Sequence, residues 1–111
     1  MAVDYTAYAG DDLQIEVTVT TADDEPAYLV GSTATYVIAR NLSAKVTKTL
    51  TAGDIAISGE YSNIFLIDID ADDTVELSGT YQHELKFVDF SGNTYTAIYG
   101  DVEFRATAIR P

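Results

Sequence analysis

The chain has 111 residues, no cysteine, and 18 acidic against 6 basic side chains for a net charge of −12. That length suits one domain, residues 1–111, around one modest core; the lack of thiols excludes a disulfide framework or a thiolate metal centre. So acidic a chain is a poor fit to nucleic acid, whose phosphates call for clustered Lys and Arg.

Taken in order, residues 3–8 (VDYTAY) suit a short edge strand ended by Gly10-Asp11-Asp12. Residues 13–20 then alternate strictly, with Leu13, Ile15, Val17 and Val19 facing a core and Gln14, Glu16, Thr18 and Thr20 facing water. The acids of 23–25 and the donorless Pro26 form a polar turn that discourages pairing with a foreign edge. Residues 33–41 (TATYVIARN) are β-branched and aromatic, and pair across residues 41–44 with a strand over 45–50. A short strand at 55–57 precedes 63–69, whose two partly apolar faces predict a central position. Acids at Asp70, Asp72 and Asp73 predict a short helical turn near 71–77, stopped by Ser78-Gly79. Tyr81, His83, Leu85 and Phe87 alternate with Gln82, Glu84 and Lys86, and Ser91-Gly92-Asn93 closes a hairpin onto 94–99. Gly100 marks a bulge or bend before a last stretch over 102–109.

Seven or eight short strands with regular turn signals predict an all-β, immunoglobulin-like antiparallel sandwich; a small closed barrel is the competing arrangement. No apolar run approaches the roughly 18 residues of a membrane span, and MAVDYTAYAG lacks the regions of a signal peptide. Manufacture in a cytoplasm and no membrane partner are the expectations.

Catalytic and metal chemistry find little to build on. Asp68, Asp70 and Asp72 have calcium-loop spacing, but Asp73 stands where that loop needs glycine and Gly79 where it needs a bidentate glutamate. An acidic cap between strand and helix is the expected reading, with no metal and no cofactor. His83, the single histidine, has no serine elbow or cysteine to activate and is read as a packed strand residue. A non-enzyme is expected. Eight tyrosines and no tryptophan remain. Tyrosine is both an ordinary strand former and a common interface residue. Tyr81 and Tyr95 are read as structural, whereas Tyr5, Tyr8, Tyr28 and Tyr61, near turns and ends, are candidate contacts. Arg40, Lys45 and Lys48 form a basic island and a candidate docking patch.

The order of these features resembles the immunoglobulin-like domains of tailed-phage structural proteins, such as the amino-terminal domain of phage baseplate upper proteins. The matching pieces are Gly10-Asp11-Asp12-Leu13, Gly31-Ser32-Thr33-Ala34-Thr35-Tyr36, the acidic turn Asp72-Asp73-Thr74-Val75-Glu76-Leu77, Ser78-Gly79-Thr80-Tyr81 leading into Glu84-Leu85, and Asp89-Phe90-Ser91-Gly92-Asn93-Thr94-Tyr95. The resemblance implies a non-enzymatic virion module that contacts other virion proteins and copies of itself. Such domains commonly lead into a fibre, so a chain ending at Pro111 is expected to be a small accessory subunit of tail, baseplate, neck or head. The alternative expectation is a stand-alone module recognising a host receptor or glycan.

Overall fold

Alternating apolar and polar side chains produce eight strands in a computed structural model, which describes residues 2–106. They are β1 (Tyr5–Tyr8), β2 (Leu13–Thr18), β3 (Thr33–Arg40), β4 (Ser43–Thr49), β5 (Ile55–Ser58), β6 (Ile64–Ile69), β7 (Gly79–Val88) and β8 (Thr94–Arg105), with one helical turn, α1 (Ala71–Thr74), before β7. One sheet has the order β1-β8-β7-β3-β4 and the other β2-β6-β5. This is the strand distribution of an immunoglobulin-like sandwich, with the fourth strand added beside the third. Pairing is antiparallel throughout both sheets except at β1, which runs parallel to β8 with Tyr5 opposite Val102. Residues 107–109 of the expected last strand lie outside the described residues.

The core lies between the sheets. Phe65, Ile67 and Ile69 of β6 face Tyr36 and Ile38 of β3, Leu85 of β7 and Val102 and Phe104 of β8, all essentially inaccessible to solvent. Each such aliphatic or aromatic side chain contributes about 2 kcal/mol by leaving water. β6 is central in its sheet, as its two apolar faces imply, with Ile64 and Leu66 half-buried on the outer side.

Two local arrangements differ from the sequence expectation. The link between β3 and β4 is a two-residue turn, Asn41-Leu42, with both φ angles positive at 52° and 65°. The bulge lies at Ala97, where the register slips between Ile98 opposite Leu85 and Thr96 opposite Lys86. Gly100 has another role. A β-carbon there would sit 2.0 Å from the carbonyl oxygen of Val3, so only glycine lets the start of the chain cross β8 at this point.

The acidic cap is an internal fixture. Asp12 Oδ1 accepts from the Ala71 N–H at 2.7 Å, Asp73 Oδ2 accepts from the Asp70 N–H at 2.9 Å, and Thr74 Oγ1 accepts from the Gly10 N–H at 3.0 Å. Asp68 accepts from Gln14 Nε2 at 2.9 Å. One turn of helix is too short to stand alone; these bonds moor it to the β1–β2 loop. Among the described residues no group of acids and histidine is arranged to hold a metal ion.

Candidate docking surface at one end of the sandwich

His83 is buried on the inner face of β7 and works as a joint. Its Nε2 lies 2.5 Å from the Val3 carbonyl oxygen, which can only accept, so Nε2 carries the hydrogen. Its Nδ1 is hydrogen-bonded to the Tyr36 hydroxyl at 3.1 Å, which in turn is hydrogen-bonded to the Tyr5 hydroxyl at 2.9 Å. The rings of Tyr5 and His83 meet edge to face with centroids 5.0 Å apart. Burial pushes the Tyr36 phenol far above its ordinary range, helped by its bond to Tyr5. Burial also raises the Tyr5 phenol, against the lowering effect of that same bond. Tyr5 therefore serves the inside of the fold, a different place from the surface contact expected of it.

The basic island is likewise mostly committed inward. Arg40 donates from Nε to the Thr80 carbonyl at 3.3 Å and from Nη2 to the Ser78 carbonyl, and its guanidinium lies 3.9 Å over the Tyr81 ring. Tyr81 in turn accepts from the Ser78 N–H at 3.2 Å, the tyrosine corner that fixes the approach to this strand in immunoglobulin sandwiches. Lys48, nearly buried, reaches Asp73 at 2.7 Å. Desolvation works against both charges, yet their mutual bond prevails: the Lys48 ammonium is held above its usual range and the Asp73 carboxyl below. Arg40 and Lys48 are thus braces instead of a docking patch, and Lys45 alone of the three stands exposed on β4, at the edge of its sheet.

What the fold does bring together is the end of the sandwich where the β2–β3 loop (19–32), the β5–β6 loop (59–63) and the β7–β8 loop (89–93) meet. Antiparallel pairing places them there: Thr18 and Ser58 both stand opposite Ile64, while Thr33 stands opposite Val88 and Val88 opposite Thr94. The loops are tied across the two sheets by the Leu29 N–H donating to the Ser62 carbonyl at 2.9 Å. Gly31 lies so close to Phe90 that a β-carbon on it would be 3.3 Å from the phenylalanine's own. Leu29 is buried beneath, and around it Tyr28, Val30, Tyr61, Phe90 and Tyr95 are exposed. Tyr28 and Tyr61, 61% and 60% exposed, line one open hollow of about 540 Å³ with Glu25, Pro26, Glu60 and Ser62.

These loops are internally braced. The first folds on itself through a Thr20–Pro26 bridge and a Thr21 N–H bond to the Glu25 carbonyl at 2.8 Å. The third is closed by Asp89, whose Oδ1 accepts from the Ser91 and Asn93 N–H groups at 2.9 Å each. Loops already held in one shape lose less freedom when a partner binds.

Of the expected contacts, Tyr28 and Tyr61 converge here, whereas Tyr8 is exposed on β1. Phe90, Val30 and Tyr95 were missed by the sequence reading. Tyr95, expected to be structural, is half exposed while its ring packs 5.4 Å from Phe87. Phe90 carried a usable signal, a large apolar residue directly beside the Ser91-Gly92 turn.

Comparison with known proteins adds little. No protein-family model matches the chain, and no curated protein does. Among solved structures, one named Tim-1 aligns over 100% of this chain and 98% of its own at 10% sequence identity, with a TM-score of 0.41. The fold assignment therefore rests on the sheet order described above.

Proposed function

We propose that this protein is a non-enzymatic structural subunit of a tailed-phage particle, holding its place in the virion through protein–protein contacts made by the loop end. The contact reading is carried by one observation: four large apolar side chains from three loops, Tyr28, Val30, Tyr61 and Phe90, are exposed at one end of the sandwich, with Tyr95 at the start of β8. Isolated exposed apolar residues are ordinary, but a contiguous group on braced loops is how binding surfaces are built. The particle reading is supported by the resemblance in motif order to phage immunoglobulin-like domains. Assembly beside larger virion proteins, or in repeated copies, follows from it.

The test is the composition of purified particles of the phage that encodes the chain. Its peptides are expected at a fixed copy number relative to the major shell protein, and Tyr28→Ala with Phe90→Ala is expected to lower incorporation while leaving the fold intact. Particles lacking the protein would refute the reading.

A second reading, recognition of a host glycan, draws on the two tyrosines and two glutamates around the hollow, since sugars stack on aromatic rings and donate to carboxylates. A glycan array without signal would retire it.

A further inference from the structure

We infer that the hollow between residues 25–28 and 60–62 receives the side chain of a lysine or arginine presented by a different protein; this rests on the contact reading above and names the chemistry of its partner. Three properties of the hollow agree. Its walls include two exposed tyrosine rings, whose faces attract cations, and two glutamates contributed by different loops. Among the described residues neither the Glu25 nor the Glu60 carboxylate takes part in a hydrogen bond or ion pair within the chain. This separates them from the acids that serve the fold: Asp73 is bound to Lys48, Asp12 to α1, Asp68 to Gln14 and Asp89 to its own loop.

The wider field points the same way. The three loops contain five acids (Asp23, Asp24, Glu25, Glu60, Asp89) and no Lys, Arg or His, on a chain of net charge −12. Such a surface steers a basic partner inward and repels an identical acidic end. Two copies meeting through this same end would bury like charges, which favours a different, basic protein as the occupant. Arginine suits the hollow especially, because its flat guanidinium stacks on an aromatic ring while donating to carboxylates on either side. The molecule already stacks one guanidinium on a tyrosine ring, where Arg40 lies over Tyr81 while donating to the backbone carbonyls of Ser78 and Thr80.

The test is nuclear magnetic resonance on the intact, isotope-labelled chain at low ionic strength, with two blocked tripeptides, acetyl-Gly-Arg-Gly-amide and acetyl-Gly-Gln-Gly-amide. The arginine peptide is expected to shift the amides of residues 25–28 and 60–62 saturably, about fivefold or more tightly than the glutamine peptide. Combining Glu25→Gln with Glu60→Gln should abolish that preference with the rest of the spectrum unchanged. Equal shifts from the two peptides, or shifts by the arginine peptide spread evenly over the acids near α1, overturn the inference. N-acetylglucosamine moving the same amides more strongly than the arginine peptide overturns it in favour of a glycan. Incorporation into particles separates this claim from the one beneath it. If the double glutamine variant is incorporated normally while Tyr28→Ala with Phe90→Ala is not, the docking end stands and the basic occupant falls.

Discussion

Gly100→Ala is expected to be among the most damaging single-atom additions to this fold, though it adds one methyl group to an extended strand. The new carbon would stand 2.0 Å from Val3 O and 2.7 Å from Asp4 Oδ1, where carbon contacts under 3.0 Å are essentially never found. The start of the chain must therefore move by more than 1 Å. Three hydrogen bonds depend on its position: Val3 N–H to the Tyr99 carbonyl at 2.7 Å, His83 Nε2 to Val3 O at 2.5 Å, and Asp101 N–H to Asp4 Oδ1 at 2.9 Å. At about 1 kcal/mol each, with about 1–3 kcal/mol more for leaving buried Nε2 unpartnered, the loss comes to about 4–6 kcal/mol. That is a large share of the roughly 5–15 kcal/mol that stabilises a domain. Urea unfolding followed by circular dichroism measures it, provided the slope with denaturant is unchanged. Gly92→Ala is the control: that glycine has φ +87° with nothing within 4 Å of a β-carbon, so only the strained backbone, about 1–2 kcal/mol, should register. A loss at Gly100→Ala no larger than at Gly92→Ala would refute the joint.

Leu42→Gly should raise stability by about 1 kcal/mol in the same assay, because leucine at φ +65° is strained and its side chain, 102% exposed, packs on nothing that would be lost. Lys48→Met should lower stability by about 1–2 kcal/mol near neutral pH by stranding Asp73. It should also flatten the acid limb: Asp73 titrates lower in the folded state, so its contribution is present above the ordinary carboxylate pKa of about 4 and is lost as pH falls through the folded value. At the alkaline end the sign reverses. Tyr36 and Tyr5 are raised by burial, so stability is fully present below about pH 10 and declines above it as tyrosines of the unfolded chain ionise. Tyrosinate absorbance should accordingly show these two ionising only as the circular dichroism signal is lost; their titration with the exposed tyrosines would contradict the buried network. Ser32→Ala should be neutral or stabilising by thermal melting, since the Ser32 hydroxyl is buried without a hydrogen-bond partner.

Period-two alternation carried the sheet strands because it reports directly which side chains share a face. It placed Tyr81, His83, Leu85 and Phe87 together inside, and it located β2, β3 and β6 to within a few residues. Alternation says nothing of which strand lies beside which, so the parallel pairing of β1 with β8 was beyond it. The same limit hid the loop end. Tyr28 and Tyr61 are separated by 32 intervening residues, and only antiparallel pairing of β2, β5 and β6 puts their loops side by side. Long basic side chains misled for a different reason: Arg40 and Lys48 read as part of a docking patch, yet each reaches several carbons away to a partner distant in sequence. The tyrosine near the first strand misled likewise, because its hydroxyl found Tyr36 instead of water.

The pairing of β1 with β8 also dictates an order of events while the protein is being made. The first of the eight strands to be made has as its neighbour the last of them, and the contacts that fasten it link residues 80 and 97 positions apart. Until β8 has been synthesised and laid against β7, β1 has no edge to join, and the Tyr36–His83 pair has no cover from Tyr5 or Val3. The amino-terminal strand thus adds to the sheet through contacts of the longest sequence separation, which raise the contact order of the fold.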